Sequence, residues 1–114
     1  MAVNVIASLG GGTGSGLGTK LIEKLGEEFK VEVYSHLVLP NKSGETPLQV
    51  YNCLLSLATI QEHSSAIFTY ENDKLMGLLG GKEEGPSSLR DINAHLASSM
   101  AQLFNIITLS SRLV

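Results

Sequence analysis

The sequence is poor in cysteine and in aromatic residues, and this shortage excludes several kinds of protein. Cys53 is the only cysteine of the 114 residues, and tryptophan is absent. A single cysteine cannot form an internal disulfide, and neither it nor the three scattered histidines has the spacing of a zinc site. A disulfide-stapled secreted domain and a zinc module are therefore excluded. The expectation that follows is a reducing, cytosolic setting.

The chain also lacks a basic cluster and a long apolar run. Its eight lysines and arginines are outnumbered by eleven aspartates and glutamates, and the two signs alternate along the first half. This charge pattern argues against binding to a nucleic-acid backbone. No apolar run approaches the roughly 20 residues of a membrane span, and the N-terminus does not resemble a signal peptide. We therefore expect neither a nucleic-acid partner nor a membrane anchor.

What the sequence has in excess is glycine, concentrated in one short segment. Residues 10–16 read Gly-Gly-Gly-Thr-Gly-Ser-Gly, between the apolar segment 3–9 and an amphipathic segment that begins near Leu17. This order predicts a strand, a loop and a helix. Glycines let backbone amides approach an anion, and the start of a helix adds N–H groups without intrahelical partners. The segment 10–16, called the glycine loop below, is therefore a candidate phosphate site.

Two familiar phosphate motifs do not fit the glycine loop. The dinucleotide fingerprint needs glycines at its first, third and sixth positions, and no register of residues 10–18 supplies all three. The P-loop needs a lysine directly before serine or threonine, whereas Lys20 follows Thr19 and precedes Leu21. A dinucleotide-dependent oxidoreductase and a Walker-type enzyme are therefore disfavoured. What remains is a loop that holds phosphate through backbone amides and hydroxyls.

Strand and helix patterns alternate along the rest of the chain. The pattern predicts strands at 31–40 and 66–70, and helices at 47–63, at 72–79 and from 89 to near the end. This alternation predicts an α/β fold, a Rossmann-like parallel sheet with flanking helices, within one domain over residues 1–114. Three strands are few for this class, so we expect an incomplete sheet with open edges.

The helix after the glycine loop is expected to turn one apolar side to the sheet. That side would be formed by residues that recur every four positions, namely Leu17, Leu21, Leu25 and Phe29. Charged residues cover the other side, namely Lys20, Glu23, Lys24, Glu27 and Glu28.

The segment 8–16 resembles the signature loop of the tubulins. Three further landmarks follow in the family's order, Val50-Tyr51-Asn52, Tyr70-Glu71-Asn72-Asp73 and Arg90-Asp91-Ile92-Asn93. The resemblance covers residues 3–103 and corresponds to the second half of a tubulin nucleotide domain. Within the superfamily, the landmarks look more like a divergent, delta-like tubulin than like the alpha or beta class.

The resemblance implies a site for a guanine nucleotide, GTP or GDP. The family's positions transfer to Ser8, Gly10, Gly11, Gly12, Thr13 and Gly14 for the phosphates, Asn72 and Asn93 for the guanine, and Glu45 for the ribose. An asparagine amide offers one acceptor and a donor group, which suits the mixed edge of guanine. Two departures from the family pattern predict weaker binding of the ribose and the guanine. Gln49 replaces a common glutamate, and Leu89 replaces a stacking aromatic residue.

The resemblance also limits the chemistry that we expect from these residues. The family's first nucleotide loop, its magnesium-associated acidic loop and its water-activating loop correspond to no residue of this chain. We therefore assign no catalytic residue and no metal ligand, and a Mg²⁺ ion would need acidic residues from elsewhere.

The expected partners are other tubulin-family subunits. The expected setting is the cytoplasmic cytoskeleton, at microtubules, a centriole or a basal body. The alternative is a structural fragment or pseudo-GTPase that acts through protein contacts and binds no nucleotide by itself.

Overall fold

The computed structural model describes residues 1–40, 47–78 and 86–113, of which 86–88 and 111–113 are described by their backbone. The elements in chain order are β1 (Ala2–Ser8), a π-helical turn (Thr13–Gly18), α1 (Thr19–Glu27), β2 (Glu32–Leu39), α2 (Pro47–His63), β3 (Ala66–Glu71), α3 (Asn72–Leu78) and α4 (Pro86–Leu113). They form two compact units, Met1–Asp73 and Lys74–Val114. The sheet belongs to the first unit and α4 to the second. The prediction of one domain over residues 1–114 stays a prediction.

The three strands form one parallel sheet in the order β1-β2-β3. Ser8, Val38 and Tyr70 stand in register across it. The predicted α/β fold with a parallel sheet is confirmed, and within the described residues β1 and β3 are its edge strands. Because the strands are parallel, all three carboxyl ends meet at the same edge, where ligands of such folds bind.

The core lies between one face of the sheet and the helices α1 and α2. Parallel strands are joined by right-handed crossovers, so both helices cover the same face. The fully buried apolar side chains of this layer are Leu9, Ile22, Val33, Leu37 and Ile60. The two helices approach closely at Gly26, where an added Cβ would lie 3.1 Å from the carbonyl oxygen of His63.

The helix after the glycine loop buries a different side from the one that its leucines predicted. Leu17 is 70% exposed and Phe29 68%, whereas Ile22 is fully buried. Residues four apart drift by about 40° at each step around an α-helix, so such a series leaves the sheet within a few turns. The expectation for Leu17, Leu21, Leu25 and Phe29 was wrong except at Leu25, which packs against the core.

The opposite face of the sheet carries a polar and aromatic cluster around His36. This side chain is fully buried, with Nδ1 3.0 Å from the Tyr70 hydroxyl and Nε2 3.3 Å from Oδ1 of Asn4. The ring of Phe68 stacks on it at a centroid distance of 4.9 Å. His36 therefore serves packing within the sheet, and burial lowers its pKa.

The helices were also tested for length and apolar character. Among the described residues, none of them combines the length and the apolar composition that crossing a membrane requires.

Candidate functional site

The glycine loop follows the carboxyl end of β1, and from Thr13 onward its residues belong to the π-helical turn, so helical structure begins earlier than the start near Leu17 that the sequence predicted. Helical backbone begins after Gly12, and no side chain caps this end with a hydrogen bond among the described residues. The first N–H groups of a helix have no partner within the helix, and they carry the positive end of its dipole. This end of the turn therefore offers hydrogen-bond donors to an anion.

The glycines of the loop are required for two different reasons. A Cβ on Gly14 would lie 1.9 Å from the carbonyl oxygen of Ser8, so the fold itself needs glycine there. A Cβ on Gly11 or Gly12 would meet no protein atom within 4 Å. Packing within the chain gives no reason for glycine at these two positions. The close approach of a ligand does give one, so the loop fits a phosphate group.

The helix α2 contacts the backbone of the glycine loop through polar side chains. Asn52 Nδ2 donates a hydrogen bond of 3.2 Å to the carbonyl oxygen of Gly10. The Ser56 hydroxyl lies 3.0 Å from the carbonyl oxygen of Ser15 and 2.6 Å from that of Asn52, so its single proton is shared between two acceptors. The Ser15 hydroxyl in turn hydrogen-bonds the carbonyl oxygen of Gly11.

Asn52 and Ser56 are the residues near the loop whose role the sequence analysis missed. Asn52 was noted as part of a family landmark, without a function. The available signal was their spacing, since two polar residues four apart on a predicted helix lie on one side of it.

A cleft of about 320 Å³ lies between the π-helical turn, α1 and α2. It is lined by Ser15, Gly16, Thr19, Lys20, Glu23, Asn52, Leu55, Ser56 and Thr59. Lys20 and Glu23 form an ion pair at 2.5 Å, and this hydrogen bond lowers the pKa of the Glu23 carboxyl. The charges of the cleft therefore balance each other, which leaves the glycine loop as the better anion site.

The predicted site residues fall into three groups. Ser8 and the loop residues Gly10 to Gly14 are consecutive or nearly so at the end of β1. Asn72 is the first residue of α3, directly after β3. The strands β1 and β3 are two strand spacings apart, about 10 Å, so a ligand that reaches from the loop to Asn72 must be elongated.

The other two predicted contacts belong to other parts of the chain. Asn93 is exposed on α4, in the second unit. Glu45 lies outside the described residues.

The chemistry of the loop does not fit a metal site on its own. No group of three or more His, Cys, Asp or Glu residues that could hold a metal ion occurs in the described part of the chain. Mg²⁺ is bound by carboxylates together with phosphates and water, and the first turn after the loop has no acidic residue. The hydroxyls and backbone amides of the loop instead suit an anion.

The comparisons with known proteins point to one family. The family model described as Tubulin/FtsZ family, GTPase domain, matches residues 1–80. The gamma-tubulin chain of Eremothecium gossypii is 32% identical over 109 residues, which cover 94% of this chain and 23% of that protein. The delta-tubulin chain of Mus musculus is 31% identical over 102 residues, which cover 88% of this chain and 22% of that protein.

A solved structure agrees with the same fold. CetZ2 from Haloferax volcanii, solved as a GTPγS-bound protofilament, superposes with a TM-score of 0.77 at 30% identity. The match covers 90% of this chain and 29% of CetZ2. The chain thus spans about a quarter of the length of the curated relatives that it matches. The gamma and delta chains match almost equally well, and the beta-1 chain of Chondrus crispus is 37% identical over 85% of this chain and 22% of that protein, so identity does not favour the delta class.

Proposed function

We propose that this chain, which belongs to the Tubulin/FtsZ family and carries part of its GTPase domain, binds a guanine nucleotide at the carboxyl edge of its sheet. The observation that carries the proposal is the start of the helix directly after Gly11 and Gly12, which no side chain of the described residues caps. Side chains added at these glycines would enter space that no protein atom occupies. GTP and GDP are the nucleotides that the family binds.

The phosphates would be held by the backbone amides of the glycine loop and by two hydroxyls. Ser8, which precedes the loop, and Thr13, which lies within it, are exposed. Gly10, Gly11, Gly12 and Gly14 are the remaining members of the predicted phosphate set. Hydrogen bonds from amides and hydroxyls to phosphate oxygens, together with the helix dipole, would supply the attraction without a lysine.

The base and ribose contacts are proposals that rest on the family resemblance. Asn72 follows β3 directly and would meet the guanine, with Asn93 as a second contact and Glu45 as a ribose contact. Leu89 is 55% exposed and cannot stack on a base as an aromatic ring does. We therefore expect the nucleoside to be bound more weakly than it would be with an aromatic residue at position 89.

The wider role would be that of a subunit in a cytoskeletal polymer of tubulin-family proteins. CetZ2, whose structure is a protofilament, supports a subunit of this kind as the partner. We propose a cytoplasmic, cytoskeletal location and a delta-like class, with a centriole or basal body as the finer assignment. No residue of this chain is proposed to catalyse hydrolysis or to bind Mg²⁺ alone.

A second candidate is an interaction fragment that binds no nucleotide by itself. It is favoured by the open sides of the first unit, since β1 and β3 are edge strands in the described sheet. Leu17 at 70% and Leu21 at 49% exposure add apolar surface to the π-helical turn and to α1. Both features suit contact with another polypeptide.

Thermal unfolding of the chain with GTP, GDP and ATP separates the two candidates. A ligand at 100 times its Kd adds about 2.7 kcal/mol to the free energy of unfolding, so GTP and GDP should raise the Tm and ATP should raise it less.

We expect Gly12→Val to weaken GTP binding at least about tenfold in calorimetry, because the valine side chain fills the phosphate space. The ligand-free Tm should stay within the usual range of a surface substitution.

The matched control is Gly77→Val, because a Cβ on Gly77 also meets no atom within 4 Å. This variant should bind GTP as the wild type does. A folded wild-type chain whose Tm does not respond to GTP would contradict nucleotide binding and favour the interaction fragment.

A further inference from the structure

We infer that Asn52 and Ser56 are positioning residues that hold the glycine loop in its anion-binding shape from the side of α2. The inference rests on the proposed function and extends it to two residues outside the predicted site. Neither residue would touch the nucleotide. Their role would be to orient the backbone groups that do.

The two side chains fasten the loop near both of its ends. Asn52 binds the carbonyl oxygen of Gly10 at 3.2 Å, and Ser56 lies 3.0 Å from that of Ser15. Both come from one helix and are separated by about one helical turn. Between these points, the Ser15 hydroxyl holds the carbonyl oxygen of Gly11. The segment 10–15 is thus held at three carbonyl groups.

Holding these carbonyl groups fixes where the neighbouring amides point. In a trans peptide, the C=O of one residue and the N–H of the next point in opposite directions. The bond from Asn52 therefore turns the N–H of Gly11 away from α2. The bond from Ser15 likewise orients the N–H of Gly12 away from the Ser15 hydroxyl. These are the two glycines whose added Cβ atoms would meet no protein atom.

Glycine makes this external support necessary. Glycine loses more conformational freedom on ordering than any other residue. In an unsupported loop this loss of entropy would occur when the ligand binds, and it would weaken binding. A loop ordered beforehand by α2 binds the same anion more tightly, because that cost no longer falls on binding.

The burial of Ser56 shows that its hydrogen bond matters to the fold as well. Ser56 is 4% exposed, and Ile60, about one turn further along α2, belongs to the core. A buried hydroxyl needs a partner, and this one lies near the carbonyl oxygens of both Ser15 and Asn52, so its removal affects a bond within α2 as well as the one to the loop. A test must therefore separate loop positioning from general stability.

The test measures two quantities on the 114-residue chain, amide hydrogen exchange without ligand and GTP affinity by calorimetry. Ser56→Ala and Asn52→Leu remove the two contacts. One hydrogen bond corresponds to about a five- to tenfold effect, so exchange at the Ser15 amide, which donates to the carbonyl oxygen of Gly11, should rise by that factor and GTP affinity should fall by it. Ser56→Thr keeps the hydroxyl and should restore both quantities. Gln61→Leu, an exposed amide on the same helix, is the control and should change neither.

Each outcome decides something different. If the wild-type chain binds no GTP but the two variants still speed exchange at the Ser15 amide, the proposed function fails and the positioning role stands. If the wild type binds GTP and the variants match it in both measurements, the positioning role is wrong and the proposed function stands. Exchange that rises equally in β2 and in the loop would reveal a purely structural role and overturn the inference.

Discussion

Among single residues, Gly14 is the loop position where the fold leaves least room for a side chain. An added Cβ would lie 1.9 Å from the carbonyl oxygen of Ser8 and 2.9 Å from its carbonyl carbon, both of them backbone atoms. Backbone cannot move aside as a flexible side chain can. We expect Gly14→Ala to lower the free energy of unfolding by about 1–3 kcal/mol, the usual cost of overpacking, as measured by urea denaturation.

The control for Gly14 is its neighbour in the same helical turn. A Cβ on Gly16 meets no atom within 4 Å, so Gly16→Ala should be neutral or stabilising by up to about 1 kcal/mol. Equal losses for both substitutions would show that the turn itself rejects alanine. The close approach of Gly14 to Ser8 would then not be the cause.

His36 predicts how stability changes with pH. Burial lowers its pKa below the ordinary value of 6.5, so the folded chain resists protonation there. As pH falls below about 6.5, the unfolded chain binds more protons than the folded one, and stability is lost until the folded-state pKa is passed. Above the unfolded-state pKa the contribution of His36 to stability is complete. Burial also raises the pKa of Tyr70, so the hydroxyl beside His36 keeps its proton through this range.

The measurement is the free energy of unfolding between neutral and mildly acidic pH, for the wild type and for His36→Gln. Glutamine does not titrate and can still reach polar neighbours such as Tyr70 and Asn4. The variant should show a shallower loss of stability on acidification. Identical pH profiles would mean that His36 does not cause the loss.

The phosphate prediction for the loop residues depends on local order along the chain, and it stays a prediction. Glycines between a strand and a helix carry the phosphate prediction by themselves. The role of Asn52 depends on a contact with Gly10, 42 residues earlier in the chain. Spacing places Asn52 and Ser56 on one side of a predicted helix, but one sequence alone gives no register between that helix and the loop. Asn72 and Asn93 came from the family resemblance, and their contacts stay predictions.

At the scale of elements, periodicity gave the helices and strands but not the sides that they bury. The bounds of α2, Pro47–His63, agree with the prediction, and Pro47 stands at the first helical position as expected. Yet the leucines of α2 at 48, 54 and 55 are exposed, while Ser56 and Ile60 are buried. When a helix is apolar on several sides, its sequence does not identify the buried side, which depends on the elements that pack against it.

The helix α2 therefore has two roles that its sequence pattern does not show together, packing in the core and contact with the glycine loop. One side packs Cys53, Leu57 and Ile60 against the sheet. The same side carries Asn52 and Ser56 to the backbone of the glycine loop. Because both tasks share one rigid helix, the position of the loop is tied to the core of the first unit. This explains how exposed glycines can keep a defined shape.

At the scale of the whole molecule, the first unit has an open flank next to α1. Ser15, Thr19 and Glu23 line the cleft that α1 forms with α2. Leu17, in the π-helical turn, and Leu21, in α1, are exposed. The π-helical turn contacts β1, which is an edge strand in the described sheet. An apolar helix side next to an unpaired strand edge is a surface on which chains associate.

We therefore expect the 114-residue chain to associate with itself as its concentration rises. Sedimentation velocity should show a rising mean mass, and Leu17→Lys should shift it toward the monomer, because a charge on the open flank opposes the burial of apolar surface. Leu109→Lys is the matched control, since Leu109 is 59% exposed on α4 of the second unit. If both substitutions reduce association equally, the effect comes from net charge rather than from this flank. A chain that stays monomeric at every concentration would contradict the expectation altogether.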